Sequence, residues 1–273
     1  MINADSKRPT VRVGVFIPSE CQLFDAACVD IFGSLSHQYM RAVSALVPKA
    51  VIDLAPNVEI SYIGSVRAGE PIQLTSNERI LATHHYTDAE VAPGKLDIVL
   101  VPGPDPFVEP EKEPLEWLRR QGQTEGTDIL SVCTGIFLCG GAGLLKGKRA
   151  CGPRGLQDRI KSKGFGEKEL VGHKYRWIQD GNIWSSGGLP LFPGNRSAAD
   201  VNKWLGGVTN GNDLVAAYCR ASRHFPRPLV ETVCEMVDVG DRLQEYGKSQ
   251  STFILTMVLN AFTAWLMGFG RRR

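Results

Sequence analysis

The sequence predicts an α/β fold, a mostly parallel β-sheet sandwiched between layers of helices. Three observations point to it. Short apolar runs rich in β-branched residues, VRVGVFI (11–17), LDIVLVPG (96–103) and TDILSV (127–132), read as strands buried on both faces, as a parallel sheet requires. Segments with helical apolar spacing alternate with them over short connections. Two of the strands end in small or turn-forming residues, at Pro102-Gly103 and at Cys133-Thr134-Gly135, where the chain must reverse sharply.

The elements follow in order. A polar leader, residues 1–10, lacks the apolar core of a signal peptide and precedes the first strand at 11–17. QLFDAACVDIFGSL (22–35) has helical spacing and ends near Gly33. VEISYIG (58–64) is a second strand, and IQLTSNERILAT (72–83) a hairpin or arm. The strand at 96–103 leads to an amphipathic helix, EPLEWLRRQG (113–122), stopped by Gly122. The strand at 127–132 runs into a helix directly behind Cys133. YRWIQDGNIWSSGG (175–188) reads as two strands joined at Asp180-Gly181. LFPGNRS (191–197) is an inserted surface loop, and helices are expected at about 195–206, 212–222 and 227–246. An α/β domain thus occupies 11–222, with a helical extension over 223–248.

The tail differs. No charged residue occurs between Ser249 and Gly270, and Arg271, Arg272 and Arg273 close the chain. The apolar run matches the ~20 residues that a membrane-spanning helix needs. It is apolar around most of its circumference, which favours membrane association through 249–270 over a terminal helix packed on protein. The domain would then sit on the cytoplasmic side of an internal membrane.

Composition bounds the function. The 273 residues, 43% hydrophobic and 22% charged, suffice for one large domain with a substantial core. With 31 basic and 29 acidic residues the net charge is +2, which gives no reason to expect nucleic acid as a partner. Seven cysteines, odd in number and irregularly spaced, argue against a disulfide framework and for an intracellular, reducing compartment. Most should be buried and inert. No zinc-type paired-cysteine motif, Walker loop or GxGxxG occurs, and no metal or cofactor is expected.

The chemistry concentrates in DILSVCTGIFLCGGAGLLKGK (128–148). A strand delivers Cys133 into a tight turn, and Thr134 and Gly135 let a helix start at once. Such an elbow exposes the side chain and turns backbone N–H groups toward it. The helix N-terminus is expected to stabilise a thiolate, the reactive form. Both strand ends, at 103–107 and at Cys133, lie on the carboxyl rim where parallel sheets bind ligands.

On these segments, together with QLFDAACVDIF (22–32), DIVLVPG (97–103) and DGNIWSSGG (180–188), the chain resembles the ThiJ/PfpI superfamily over roughly residues 10–222. Within it the isocyanide (isonitrile) hydratase branch and its fungal relatives are nearest. The resemblance implies a flavodoxin-like, class I glutamine amidotransferase-like fold. It implies that Asp25 faces the nucleophile and that Thr134 follows it. Cys133 would attack the terminal carbon of an isocyanide to give a thioimidate, Asp25 would serve as acid and base, and an N-formamide would leave. A small-molecule electrophilic substrate and a homodimer follow from the same likeness. Asp25 as a simple helix residue, or Asp30 as the acid, remain alternatives.

The chain departs from the family at three places. Where Pro-Gly-Gly is usual it has Pro102-Gly103-Pro104-Asp105, and proline has no N–H to offer an oxyanion. The Gly103 or Asp105 amide, or Thr134, is left to serve. Where the hydratase branch has Thr-His-Trp it has Cys151-Gly152-Pro153, so no histidine is placed beside Cys133; His84, His85, His173 and His224 read as surface or strand residues. Arg154, new here, reads as a solvated arginine ahead of one that favours a thiolate or binds an anionic substrate. Gly187 and Gly188 are assigned to the pocket, but Leu189 and the 190–197 insertion replace a glycine-rich loop. Two other functions stay open: a thiol enzyme acting on an aldehyde or acyl electrophile, and a non-catalytic redox-sensing or interaction protein.

Overall fold

In a computed structural model of the chain, the structure describes residues 8–187 and 210–247, with Ser251, Leu255, Val258 and Leu259 beyond them. The strands are β1 (Thr10–Phe16), β2 (Glu20–Cys21), β3 (Asn57–Gly64), β4 (Pro71–Leu74), β5 (Arg79–Leu81) and β6 (His84–His85), then β7 (Ile98–Val101), β8 (Asp128–Ser131), β9 (Arg149–Ala150), β10 (Glu169–Leu170), β11 (Trp177–Asp180) and β12 (Ile183–Ser186). The helices are α1 (Leu23–Ala27), α2 (Asp30–Ser34), α3 (His37–Ala42), α4 (Lys49–Ile52), α5 (Lys112–Gln123), α6 (Gly135–Gly141), α7 (Gln157–Ser162), α8 (Asn210–Ala221) and α9 (Arg227–Val237).

Seven strands form the central sheet in the order β11-β12-β8-β7-β1-β3-β6. All its pairings are parallel except the β11–β12 hairpin. The sheet separates two cores, as alternation along buried strands demands. Val13, Val15, Ile98, Leu100 and Leu130 face a layer that includes Phe32, Met40, Leu214 and Leu229. Phe16, Val99, Val101 and Ile129 face Trp117, Leu118, Ile136 and Ile160. Each such fully buried side chain contributes about 1.5–3 kcal/mol of transfer free energy. The segment expected as a hairpin or arm is one: β4 and β5 pair antiparallel, with β2 added to β4.

Two helices differ from the sequence reading. The stretch 22–35 is two short helices, and at the break the Cys28 thiol donates to the Asp25 carbonyl at 3.1 Å. Val29 N–H then bonds Ala26 O instead, at 3.0 Å, and the helix breaks there. The expected helix 227–246 stops at Val237. Asp238 is left-handed at φ 53° and Gly240 has φ 84°, so the chain turns out of the helix. The remainder, 242–246, lies along the sheet edge.

The expected helix at 195–206, the insertion at 190–197 and Gly188 lie outside the described residues. So does most of 249–270. Among the described residues no helix is long and apolar enough to cross a membrane, and the expected membrane association of this tail gains no support.

Candidate active site

Cys133 follows β8 and precedes α6 in a conformation that few side chains adopt. Its φ is 55°, and among the described residues only Asn77 and Asp238 share the left-handed region without being glycine. For an L-residue this costs about 1–2 kcal/mol, strain of the kind found at nucleophile elbows. The turn is possible because Gly135 has no side chain: a Cβ there would lie 2.1 Å from Val101 O. Of the seven free cysteines, six are buried and Cys133 alone is partly exposed.

The strands on either side lead into glycines. Val101 of β7 and Ser185 of β12 both pair with Ser131 of β8. Gly103 and Gly187 each lie two residues beyond these pairs, as Cys133 does, so all three stand at the same carboxyl end of the sheet.

Gly103 is clamped by the first helix. Its carbonyl accepts the Gln22 N–H at 3.0 Å, and its own N–H donates to Asp25 Oδ2 at 3.2 Å. The Asp25 side chain is fully buried, and its carboxyl meets the Cys133 thiol. A Cβ on Gly103 would stand 2.2 Å from Thr134 Oγ1 and 2.4 Å from Asp25 Oδ2, so the strand end fits between these two side chains only as glycine. Asp30, the alternative acid, is exposed on α2.

Burial raises the Asp25 carboxyl to about 8, against smaller opposing contributions from hydrogen bonding by Cys133 and by the Gly103 N–H. Asp25 therefore holds its proton at neutral pH. The Cys133 thiol is also pushed up, first by burial and then by the Asp25 charge; the Thr134 backbone N–H opposes both. The helix-terminal stabilisation expected from sequence is present in that N–H, but burial outweighs it. The site holds a thiol and a carboxylic acid in contact rather than a thiolate.

The other predicted donors are engaged. Asp105 N–H donates to Glu20 Oε1 at 2.7 Å, and the Thr134 hydroxyl donates to Pro104 O at 2.7 Å. With Gly103 N–H on Asp25 and no N–H on Pro104, the loop 103–105 presents no uncommitted amide. Glu20 and the Pro104 carbonyl escape the sequence reading, because both act through contacts distant in sequence.

No histidine replaces them. At Gly152 a Cβ would meet the tip of the Ile160 side chain, Cδ1, at 2.6 Å, so a side chain there would have to displace it. The His84 and His85 rings bond Thr83 and Thr87 on the far edge strand. Arg154 is not solvated, contrary to the sequence expectation. It is 6% exposed, donates to His173 O at 2.8 Å and lies 4.0 Å over the Tyr246 ring.

Fold and site together define an α/β protein built around a strained cysteine elbow with a buried carboxyl. The DJ-1/PfpI family model matches residues 34–193, and the chain belongs to that family. It is 29% identical over 160 residues to an isonitrile hydratase of Pseudomonas putida, a match covering 58% of this chain and 64% of that one. The match thus spans less than two thirds of that relative's length. Among solved structures, a ThiJ/PfpI family protein from Pseudomonas syringae superposes with TM-score 0.63 at 16% identity, covering 97% of this chain and 92% of that one. Drosophila melanogaster DJ-1beta does so at 0.57 and 14%, covering 84% and 98%. These structural likenesses speak for the fold.

Proposed function

We propose that the chain is a cofactor-independent hydratase that adds water to an isocyanide through a thioimidate on Cys133, with Asp25 relaying protons. The observation that carries this reading is the fully buried Asp25 carboxyl, raised to about 8 and in contact with a thiol on a strained elbow. The likeness to an isonitrile hydratase supports it.

In this scheme the Cys133 sulfur bonds to the terminal isocyanide carbon. Asp25 gives its proton to that carbon while taking the thiol's proton, leaving R–N=CH–S–Cys133. Water then adds across the C=N bond, its hydroxyl going to carbon and its proton, through the same carboxyl, to nitrogen. Collapse of the adduct breaks the C–S bond, returns the hydroxyl proton to sulfur and releases R–NH–CHO. The carboxyl ends each step as it began, which suits a neutral acid that can donate from one oxygen and accept on the other.

The engaged amides bear on the choice of substrate. Acyl and aldehyde chemistry develops an alkoxide that needs preorganised N–H donors, worth about 3–4 kcal/mol each. Attack on an isocyanide develops charge at carbon, which a positioned acid meets directly. The loop 103–105 therefore favours the isocyanide over the carbonyl substrate.

The test is formamide production by the full chain, with Cys133→Ala and Asp25→Asn beside it. Both variants are expected to be inactive; undiminished formamide from Cys133→Ala would overturn the reading. A homodimer, expected from the family, is tested by light scattering.

A further inference from the structure

Residues 242–246 run antiparallel beside the start of β11, at the open edge of the sheet. Arg176 N–H donates to Gln244 O at 2.7 Å, Tyr246 N–H to Lys174 O at 3.0 Å, and Gln244 Nε2 to Trp177 O at 2.9 Å. Arg242 anchors the strap on buried Asp213 of α8, Nη2 to Oδ2, at 2.6 Å.

Tyr246 then turns inward. Its ring lies between the guanidinium groups of Arg154 and Arg176, 4.0 and 4.6 Å from the centroid. Its hydroxyl accepts from Asn210 Nδ2 at 2.8 Å, and the same Nδ2 donates to Gly187 O at 2.9 Å. Asn210 is 1% exposed, so both N–H bonds of its amide are spent in a dry setting where losing one is costly. Burial pushes the Tyr246 hydroxyl up to about 12, which keeps it neutral.

Gly187 is held on every side. Its N–H donates to Arg176 O at 2.7 Å, and a Cβ on it would lie 2.9 Å from Gly152 O and 3.1 Å from the Tyr246 hydroxyl. β12 runs parallel to β8 with Ser185 opposite Ser131, and Gly187 lies two residues beyond that pair, as Cys133 does on the neighbouring segment. The strap, α8 and the end of β12 therefore converge on Gly187, at the carboxyl end of the sheet where Cys133 also lies.

We infer that Tyr246 is a positioning residue for the Cys133 site: through Asn210 it fixes Gly187 at the sheet end that carries the nucleophile and so sets the shape of electrophile that reaches the thiol. The inference rests on the reading that Cys133 takes a small electrophile. Tyr246 acts on the pocket wall, whereas Asp25 acts on the reacting atoms. Its loss therefore alters selectivity and KM and leaves the thiol's own reactivity intact.

The experiment uses the full chain and the variants Tyr246→Phe and Asn210→Ala. Tyr246→Phe keeps the ring between the two guanidinium groups and removes only the hydroxyl, so it remains informative if Asn210→Ala does not fold. Cys133 alkylation is followed by peptide mass spectrometry with iodoacetamide and with the bulkier N-phenylmaleimide, beside KM for an isocyanide and thermal melting. The ratio of the two alkylation rates is expected to shift by about fivefold, the scale on which one lost hydrogen bond acts, with the iodoacetamide rate unchanged. A lower melting temperature with an unchanged ratio would mean a merely structural role and overturn the inference. A shifted ratio in a protein that makes no formamide would uphold it and reject the hydratase reading.

Discussion

Asp25→Asn should stabilise the protein increasingly as pH rises. The native carboxyl titrates near 8, whereas its ordinary value is 3.8. Between these values the folded chain keeps a proton that the unfolded chain has lost. The unfolded state then binds fewer protons, so stability falls with rising pH, by ~1.4 kcal/mol per unit from this group. Over about four units the accumulated loss is on the order of 5 kcal/mol, complete at about pH 8 and absent below about pH 4. Asparagine has the same shape, still accepts the Gly103 N–H and cannot ionise. Its advantage over the wild type should therefore be near zero at the acid end and grow through neutrality to a plateau above about pH 8. Urea unfolding followed by tryptophan fluorescence, run on both proteins across this range, measures the difference and cancels every other titration. A difference that stays flat from about pH 5 to about pH 9 would refute the buried neutral carboxyl.

Activity should follow the same proton: formamide formation is expected to fall as pH rises through about 8, where Asp25 loses its acid, as a kcat profile would reveal. Cys133→Gly should be more stable than Cys133→Ala by about 1 kcal/mol, because only glycine adopts φ 55° freely; equal urea midpoints would mean that the elbow stores no strain. Gly103→Ala places a methyl 2.2 Å from Thr134 Oγ1 and 2.4 Å from Asp25 Oδ2 and should cost about 1–3 kcal/mol together with most activity, read by melting and turnover. Thr134→Val removes the hydrogen bond to Pro104 O and should slow turnover roughly threefold to tenfold by loosening the loop 103–105, with little change in far-ultraviolet circular dichroism.

The parts of the fold legible in the sequence are those written in local pattern. The apolar runs at 11–17, 96–103 and 127–132 match β1, β7 and β8, and the Asp180-Gly181 turn joins β11 to β12. The elbow is legible because small residues directly behind a strand let the chain reverse and a helix begin within one turn. The break in 22–35 is not, since the apolar spacing runs on across it and the hydrogen bonds that change there leave no mark in periodicity. The charge state of the thiol is hidden for a related reason. The start of α6 is visible in sequence and argues for a thiolate, but the burial that outweighs it is a property of three strand ends meeting. Arg154 reads as solvated until Tyr246, 92 positions away, is folded against it.

The site's most informative property is therefore how completely its polar groups are committed. Gly103, Asp105 and Gly187 each give their N–H to the protein, and Thr134 gives its hydroxyl to Pro104. Such a site has few donors for new negative charge on oxygen, the Thr134 backbone N–H beside the thiol being the one that need not leave a backbone partner. Asp25 stands apart: its buried carboxyl accepts from the Gly103 N–H and meets the Cys133 thiol. In a dry pocket an ionised carboxyl held by one amide and one thiol is costly, and protonation lowers that cost by removing the charge. The same feature that raises its pKa leaves a proton ready beside the sulfur. A substrate whose carbon can take that proton as the C–S bond forms needs little else from the pocket, and this is the property that sets an isocyanide apart from an ester or an aldehyde.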